Sequence, residues 1–264
     1  MILDSLLPAA ASSYAGDIDT LFDVVTLLVG VPFAISCYLF FSFIFRFKAK
    51  EGQKAMYITG TEHKYMKWIH RAHIPILTFD LVIVVMAVQV WYDVKQDLPE
   101  MESEVRVIGQ QWAWTFIHPG ADNVQGTADD ITKINELHVS IDTLYHFKLE
   151  SRDVLHNFSV PVFRLKQDAI PGRVITGWFE PIVAGEFDIQ CAEICGIGHG
   201  LMPARIHISS ASEHAAWVQR ESAAALAQTH SPFTGAGTGA GTGAGTGAGT
   251  GPANMKPELQ LVTR

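Results

Sequence analysis

Within the stretch Cys191-Ala192-Glu193-Ile194-Cys195-Gly196-Ile197-Gly198-His199-Gly200-Leu201-Met202, two thiols, an imidazole and a thioether recur at spacings of four, four and three residues. These are the soft donors that copper selects. Three glycines inside the run argue against a helix and for a tight loop whose backbone folds closely around something. A further imidazole, His156, stands upstream in Val154-Leu155-His156-Asn157-Phe158. One distant His followed by a Cys, His and Met loop is the layout of a β-barrel copper protein. A close cysteine pair in an oxidising compartment can also form a disulfide, and the pair alone leaves that reading open. As thiolates, Cys191 and Cys195 can bridge two copper ions, with His156 and His199 as terminal ligands. Met202 and the backbone carbonyl of Glu193 then supply weak axial donors. Four strong ligands for two metals leave no open position for substrate, so such a site relays electrons.

The elements that carry this loop begin with a membrane portion. A chain of 264 residues has room for two structural units, and a hydrophobic fraction of 48% is high for a purely soluble protein. Leu21 to Phe45 is apolar apart from Asp23 and a few hydroxyls, and Ile74 to Tyr92 is interrupted only by Asp80 and Gln89. Each is long enough to cross a hydrocarbon core of about 30 Å. The connecting loop, 46–73, gathers Arg46, Lys48, Lys50, Lys54, Lys64, Lys67 and Arg71, whereas residues 1–20 carry no Lys or Arg. The positive-inside rule puts this loop in the cytoplasm, and residues 1–20 with everything after Tyr92 on the other side. Asp4 and the lack of a positive residue make the first sixteen residues a poor signal-peptide n-region. Asp80, costly against lipid, is expected to face a protein neighbour or water.

After Tyr92 short alternating runs replace the long apolar ones. Eight of them, near 104–108, 112–117, 136–141, 144–149, 158–163, 173–179, 186–189 and 205–208, read as strands of a sandwich or Greek-key barrel over 93–210. His146 alternates with Tyr145 and Phe147 onto a solvent face, and it, His138 and His207 read as non-ligands. Residues 93–231 hold ten Lys and Arg against nineteen Asp and Glu. Such acidity excludes nucleic acid as a partner and attracts basic proteins. The Asp122 to Asp130 loop is rich in oxygen donors but fails the EF-hand spacing, so it reads as a solvated turn, with bound calcium as the alternative. An alanine-rich short helix is expected over 211–230, and the Thr-Gly-Ala-Gly repeat makes 231–264 a flexible tail. Cys37, inside an apolar span, reads as a small hydrophobe. Without a Cys-x-x-Cys-His there is no covalent haem on this chain.

The pattern Cys-x-Glu-x-Cys-x-x-x-His-x-x-Met, an upstream Asp-Val-Leu-His, Gln111-Trp112-Ala113-Trp114, Lys166 to Arg173 and the two-helix anchor together resemble subunit II of the haem-copper cytochrome c oxidases, over roughly residues 20–210. The resemblance implies a two-helix transmembrane hairpin followed by an all-β cupredoxin-like Greek-key barrel. It implies two copper ions forming a CuA centre on His156, Cys191, Glu193 through its carbonyl, Cys195, His199 and Met202, with the Glu193 carboxylate reaching a magnesium ion shared with the catalytic subunit. Trp112 would be the exposed ring at which electrons arrive from cytochrome c or a c-type cytochrome domain, and Trp114 a core residue. Asp142, Glu150 and Asp188 are candidate carboxylates for steering a basic donor. The partners implied are membrane lipid and the haem-bearing catalytic subunit I, where O2 is reduced to water. The location implied is a bacterial-type inner or plasma membrane with the soluble domain periplasmic.

The chain departs from the family pattern in several places. Gln110 stands where the family has His, and Phe116 with the Asp122 to Asp130 loop where it has tyrosines. Trp68, seven residues before Pro75, stands where it has a glutamate, with Glu62, His70 and His73 nearby. Two other functions fit the same ligands: a membrane-anchored copper carrier without turnover, and the CuA domain of another respiratory reductase.

Overall fold

The computed structural model describes residues 6–54 and 56–229. Helix α1 runs Ala15–Arg46 and α2 runs His63–Trp91, continued by a π-helical turn at Tyr92–Gln96. Among the described residues these are the two helices long and apolar enough to cross a membrane. Both outrun the apolar windows of the sequence, because backbone hydrogen bonding continues through polar flanks such as Asp17 and Arg71. The α1–α2 groove is lined by Leu28, Pro32, Ile35, Ala72, Pro75 and Phe79. On α2 those positions follow a helical period that leaves Asp80 on an exposed face, outside the groove. In the loop before α2, Glu62 accepts hydrogen bonds from the Thr59 and Gly60 amides.

Ten strands follow: β1 Ser103–Gln110, β2 Ala113–His118, β3 Ile131–Ile134, β4 Glu136–Ser140, β5 Tyr145–Ser151, β6 His156–Val160, β7 Leu165–Ala169, β8 Ile175–Phe179, β9 Gly185–Cys191 and β10 Ala204–Ser209. They form two five-stranded sheets, β3-β2-β1-β5-β8 and β4-β10-β9-β6-β7, packed as a cupredoxin-like sandwich. Helix α3, Ala211–Thr229, closes the described chain. It opens on a capping box in which Ser210 and Glu213 exchange side-chain to backbone hydrogen bonds. The 231–264 tail lies outside the described residues.

The eight expected strands are present, and β3 and β7 add to them. Both are edge strands, where one side of the backbone needs no partner and short polar sequences such as Leu-Lys-Gln-Asp-Ala suffice. Elsewhere period-two alternation sets the core. On β5, Tyr145, Phe147 and Leu149 are buried between half-buried neighbours, and the parallel β1–β5 register sets Val105 beside Phe147 and Val107 beside Leu149.

Phe158 of β6 ties the two sheets together. Its ring lies 5.6 Å from that of Trp114, 5.8 Å from Phe147 and 6.2 Å from Phe116. Burying such a ring contributes about 1.5–3 kcal/mol. Its larger effect is positional, because His156 lies two residues away and so faces the same side of the strand.

The N-terminal segment belongs to this domain and not only to the membrane anchor. Ala11 donates its N–H to the Val162 carbonyl at 2.8 Å and accepts from Ile182 at 2.9 Å, and Ser12 bridges to Pro181. Ala11 and Tyr14 are buried in the core, with Tyr14 edge-on to Trp178 at 5.0 Å. Arg164 grips Asp19 in the first turns of α1 through Nε at 2.7 Å and Nη2 at 2.8 Å. Residues before the first span and the β domain are therefore on the same side of the membrane, as the charge asymmetry of the loop requires.

Candidate metal centre

The site is built at one end of the sandwich. His156 opens β6, and the antiparallel register sets Phe158 opposite Cys191, the last residue of β9. The chain then turns through 192–203 and returns as β10, so the loop closes back over the end of β6. Cys195 and Met202 are buried and join the core cluster, which fixes the loop at two points.

The six residues singled out by the sequence converge. Cys191 Sγ and Cys195 Sγ are 3.8 Å apart. Around Cys191 lie His156 Nδ1 at 3.9 Å and the Glu193 carbonyl oxygen at 3.3 Å. Around Cys195 lie His199 Nδ1 at 3.7 Å and Met202 Sδ at 3.4 Å. Each sulfur thus has one imidazole and one weaker donor of its own. Both cysteines are free, and a disulfide requires sulfurs about 2.05 Å apart, so no such bond joins them. The donor atoms of His156, Cys191 and Cys195 lie within 4.8 Å of one another. A sulfur pair at this distance can share one ion, since two metal–thiolate bonds of about 2.3 Å span more than it.

The electrostatics point the same way. Burial, and then the neighbouring Cys191 thiol, push the Cys195 pKa up to about 11. Two thiolates this close are stable only with a cation between them, and a bound metal ion supplies that charge.

A layer of supporting residues was not foreseen. Asp153 Oδ1 lies 2.8 Å from His156 Nε2, which leaves Nδ1 toward the sulfurs and fixes the ring's tautomer and orientation. Desolvation raises the Asp153 pKa, and the Gln111 amide, the His156 ring and the Val154 amide outweigh it, so the carboxyl sits below its ordinary value. Gln111 donates its backbone N–H to Asp153 at 2.7 Å and its side-chain amide to the Cys195 carbonyl at 2.7 Å. The available signal for Asp153 was its position three residues before His156, and for Gln111 its place beside Trp112.

Trp114 is fully buried, edge-on to His156 at 5.9 Å, as expected of a core residue. Trp112 is 39% exposed, and its ring lies directly on the loop. A Cβ on Gly198 would fall 2.3 Å from Trp112 Cδ2, and one on Gly196 2.9 Å from Gln111 Nε2. Gly196 also has φ +124°, a conformation that L side chains rarely adopt. The two loop glycines are thus what lets the ring reach within contact of the ligand-bearing backbone. Ile194, Ile197 and Leu201 stand 81–94% exposed on the same loop, giving it an apolar outer face.

The carboxylates of the Asp122 to Asp130 loop are engaged locally, Asp122 by the Val124 amide, Asp130 by the Gly126 amide and Asp129 by Thr127 and Ser222. His146 is held by the Pro99 carbonyl at 2.8 Å. Of the candidate steering carboxylates, Glu150 pairs with Arg106 and Asp188 with Arg205.

The alternative cytochrome c oxidase subunit 2 of Bradyrhizobium diazoefficiens is 33% identical over 231 residues, covering 78% of this chain and 80% of that protein. The chain belongs to the cytochrome c oxidase subunit II family. The family model for the subunit II periplasmic domain matches residues 103–209, which are β1 through β10. The probable subunit 2 of Rickettsia prowazekii is 29% identical over 161 residues, 55% of this chain and 51% of that one, so the chain spans about half of that relative. The solved periplasmic domain of subunit II from Bradyrhizobium japonicum superposes with a TM-score of 0.44 at 27% identity, over 48% of this chain and 99% of the other. Membership makes the chain a subunit of the cytochrome c oxidase complex, an oxidoreductase, and copper binding and electron transport follow from the family. The two apolar helices and the family's periplasmic domain make this a membrane-anchored subunit II with an extracytoplasmic domain.

Proposed function

We propose that the β domain is the electron-accepting port of a terminal oxidase, taking single electrons from a cytochrome c and passing them to a haem in the catalytic subunit, which reduces O2 to water. The observation that carries this reading is the convergence of two free thiols, two imidazoles, a thioether and a carbonyl around a sulfur pair 3.8 Å wide. The donor set is soft and closed, which suits copper and leaves no seat for substrate. His156, Cys191, Cys195 and His199 hold two copper ions, with Met202 and the Glu193 carbonyl as weak donors. Copper held there would supply a one-electron redox centre, and the donors that would hold it already stand in place. The exposed Glu193 carboxylate is free to reach a magnesium ion at the boundary with subunit I. The domain boundaries at 93 and 210, and the placement in a bacterial inner or plasma membrane with the domain periplasmic, belong to the same proposal.

The residues divide the remaining work. Asp153 and Gln111 keep His156 and the Cys195 backbone in place before metal arrives, and the buried Phe158 and Trp114 exclude water behind the imidazole. Trp112 offers a π surface to the solvent side and touches the loop on the other, and the net acidity of the domain favours a basic donor. EPR and metal analysis of the copper-loaded full chain test the reading. Two tightly held coppers with a mixed-valence dinuclear signal are expected; a single labile Cu(I) would identify a carrier instead.

Trp112 separates docking from packing. Trp112→Phe is expected to slow electron uptake from cytochrome c severalfold in stopped-flow measurements, with copper content unchanged. Copper loss in that variant would show that the ring supports the loop and is not a surface for the donor.

A further inference from the structure

Away from the metal loop, four imidazoles are packed around one indole. His138 of β4 and His207 of β10 are paired in register and stack at 4.5 Å with their rings 10° from parallel. Trp217 of α3 stacks on the other face of His138 at 4.3 Å, and His214, one turn earlier on the helix, stacks on Trp217 at 5.7 Å. His118, at the end of β2, meets Trp217 edge-on at 5.2 Å and is buried. The helix that completes this stack packs against β3 and β4, the edge strands of the two sheets.

Nothing in this packing is ready to receive a proton. The Nε2 atoms of His118, His138 and His214 are each sealed from solvent without a hydrogen-bond partner. For His138 the nearest carboxylate oxygen, Glu136 Oε2, is 3.6 Å away, beyond a hydrogen bond. A proton on His118 or His214 would therefore bury an unmatched charge beside other imidazoles, and one on His138 would have only the mostly exposed Glu136 carboxylate to face.

We propose that α3 is an acid-released latch: His118, His138 and His214 hold the helix over the sheet edges only while their rings are neutral, and protonating them frees it.

Other charged groups around the stack bear on the sign. Lys133 on β3 sits 5.9 Å over the Trp217 ring, adding positive charge, and pairs with Glu221 of α3 at 2.7 Å. Arg220 pairs with the same Glu221 at 3.1 Å. Glu136, which favours protonation of His138, and Glu186, 3.2 Å from His207 Nδ1, have mostly exposed side chains and are screened by solvent. Asp129 accepts from Ser222, and Tyr145, edge-on to His214 at 6.5 Å, is neutral below its raised pKa of about 12. Glu213 is occupied in the helix cap. Desolvation, then His138, His214 and Lys133, pushes the His118 pKa down to about 3. Desolvation, then His207, pushes that of His138 down to about 4, and desolvation also lowers that of His214.

With the ordinary value at 6.5, the undocked state takes up protons on these imidazoles that the docked state refuses. Docking is therefore complete above pH 6.5 and is lost as pH falls from 6.5 toward 4, by about tenfold per pH unit for each of His118 and His138, with His214 adding in the same direction.

Hydrogen exchange with mass spectrometry on the full chain in detergent, corrected for chemical exchange, reads this directly. Between pH 7.5 and 5.0 the amides of α3 are expected to lose protection by at least about tenfold per unit below 6.5, while those of β1, β5 and β9 keep theirs. A flat profile for α3 overturns the latch. Loss shared equally by the central strands also overturns it, because that is global acid unfolding. His214→Phe, at a half-buried position where an apolar ring can still stack, is expected to remain docked and to flatten the slope, because burial lowers the pKa of the imidazole it removes. An unchanged slope in H214F would overturn the assignment. H118F flattens the slope further if it folds, but the wild-type profile and H214F are sufficient to decide between latch and no latch.

Discussion

Cys195→Ser is expected to empty the site of copper. Cys195 is buried and central: Cys191, His199 and Met202 present donor atoms to its sulfur at 3.8, 3.7 and 3.4 Å. A serine hydroxyl is a hard donor that stays protonated at neutral pH and cannot bridge soft metal ions. Losing even an outer-shell partner typically lowers metal affinity by about 10–100-fold, so loss of a bridging thiolate should exceed that range. Metal analysis of the purified full chain should find two coppers in the wild type and none tightly held in C195S. Far-UV circular dichroism should be unchanged, because serine occupies nearly the same volume. Full retention of both coppers in C195S, with the wild-type spectrum, would sink the assignment of Cys195 as a ligand.

Arg164→Ala should be the most damaging change distant from the metal loop. The guanidinium joins two strong contacts to Asp19 with hydrogen bonds to the carbonyls of Pro161 at 2.9 Å and Pro8 at 2.8 Å. The two side chains are only 10% and 4% exposed. Truncating the arginine strands a buried carboxylate and frees two carbonyls, which costs about 3–5 kcal/mol. Against a total stability of about 5–15 kcal/mol that is a large share. Thermal unfolding of the full chain in detergent should show a markedly lower midpoint for R164A. R164K should fall between, because an ammonium cannot reproduce the two-pronged contact. An R164A midpoint equal to wild type would show that residues 8–19 do not help to hold the domain. The same contacts mean that a fragment starting at Asp93 lacks Ala11 and Tyr14 from its core, so copper measurements belong on the full chain.

The sequence made much of this legible for identifiable reasons. Hydrophobic length located both spans, and the asymmetry of Lys and Arg oriented them, because crossing a bilayer is a property of a single segment. Period-two alternation located eight strands, and soft-ligand spacing located the loop. The edge strands β3 and β7 escaped because a strand paired on one side carries little alternation signal. The docking of residues 8–19 escaped because its contacts, from Ser12 to Phe163 and from Asp19 to Arg164, join positions about 150 residues apart, and neither partner looks unusual alone.

By itself, the sequence determined which atoms could bind copper, how the chain meets the membrane and which side the domain occupies. Donor chemistry and hydropathy are carried by the residues themselves. Tertiary structure alone decided that His156 meets Cys191, that the two thiols are free and 3.8 Å apart, that Asp153 orients the imidazole, and that Trp112 rests on two glycines. Those relations depend on strand register and on close approach between distant segments. The histidine stack beneath α3 is the clearest case: each imidazole is ordinary on its own strand or helix, and only packing seals them together away from water.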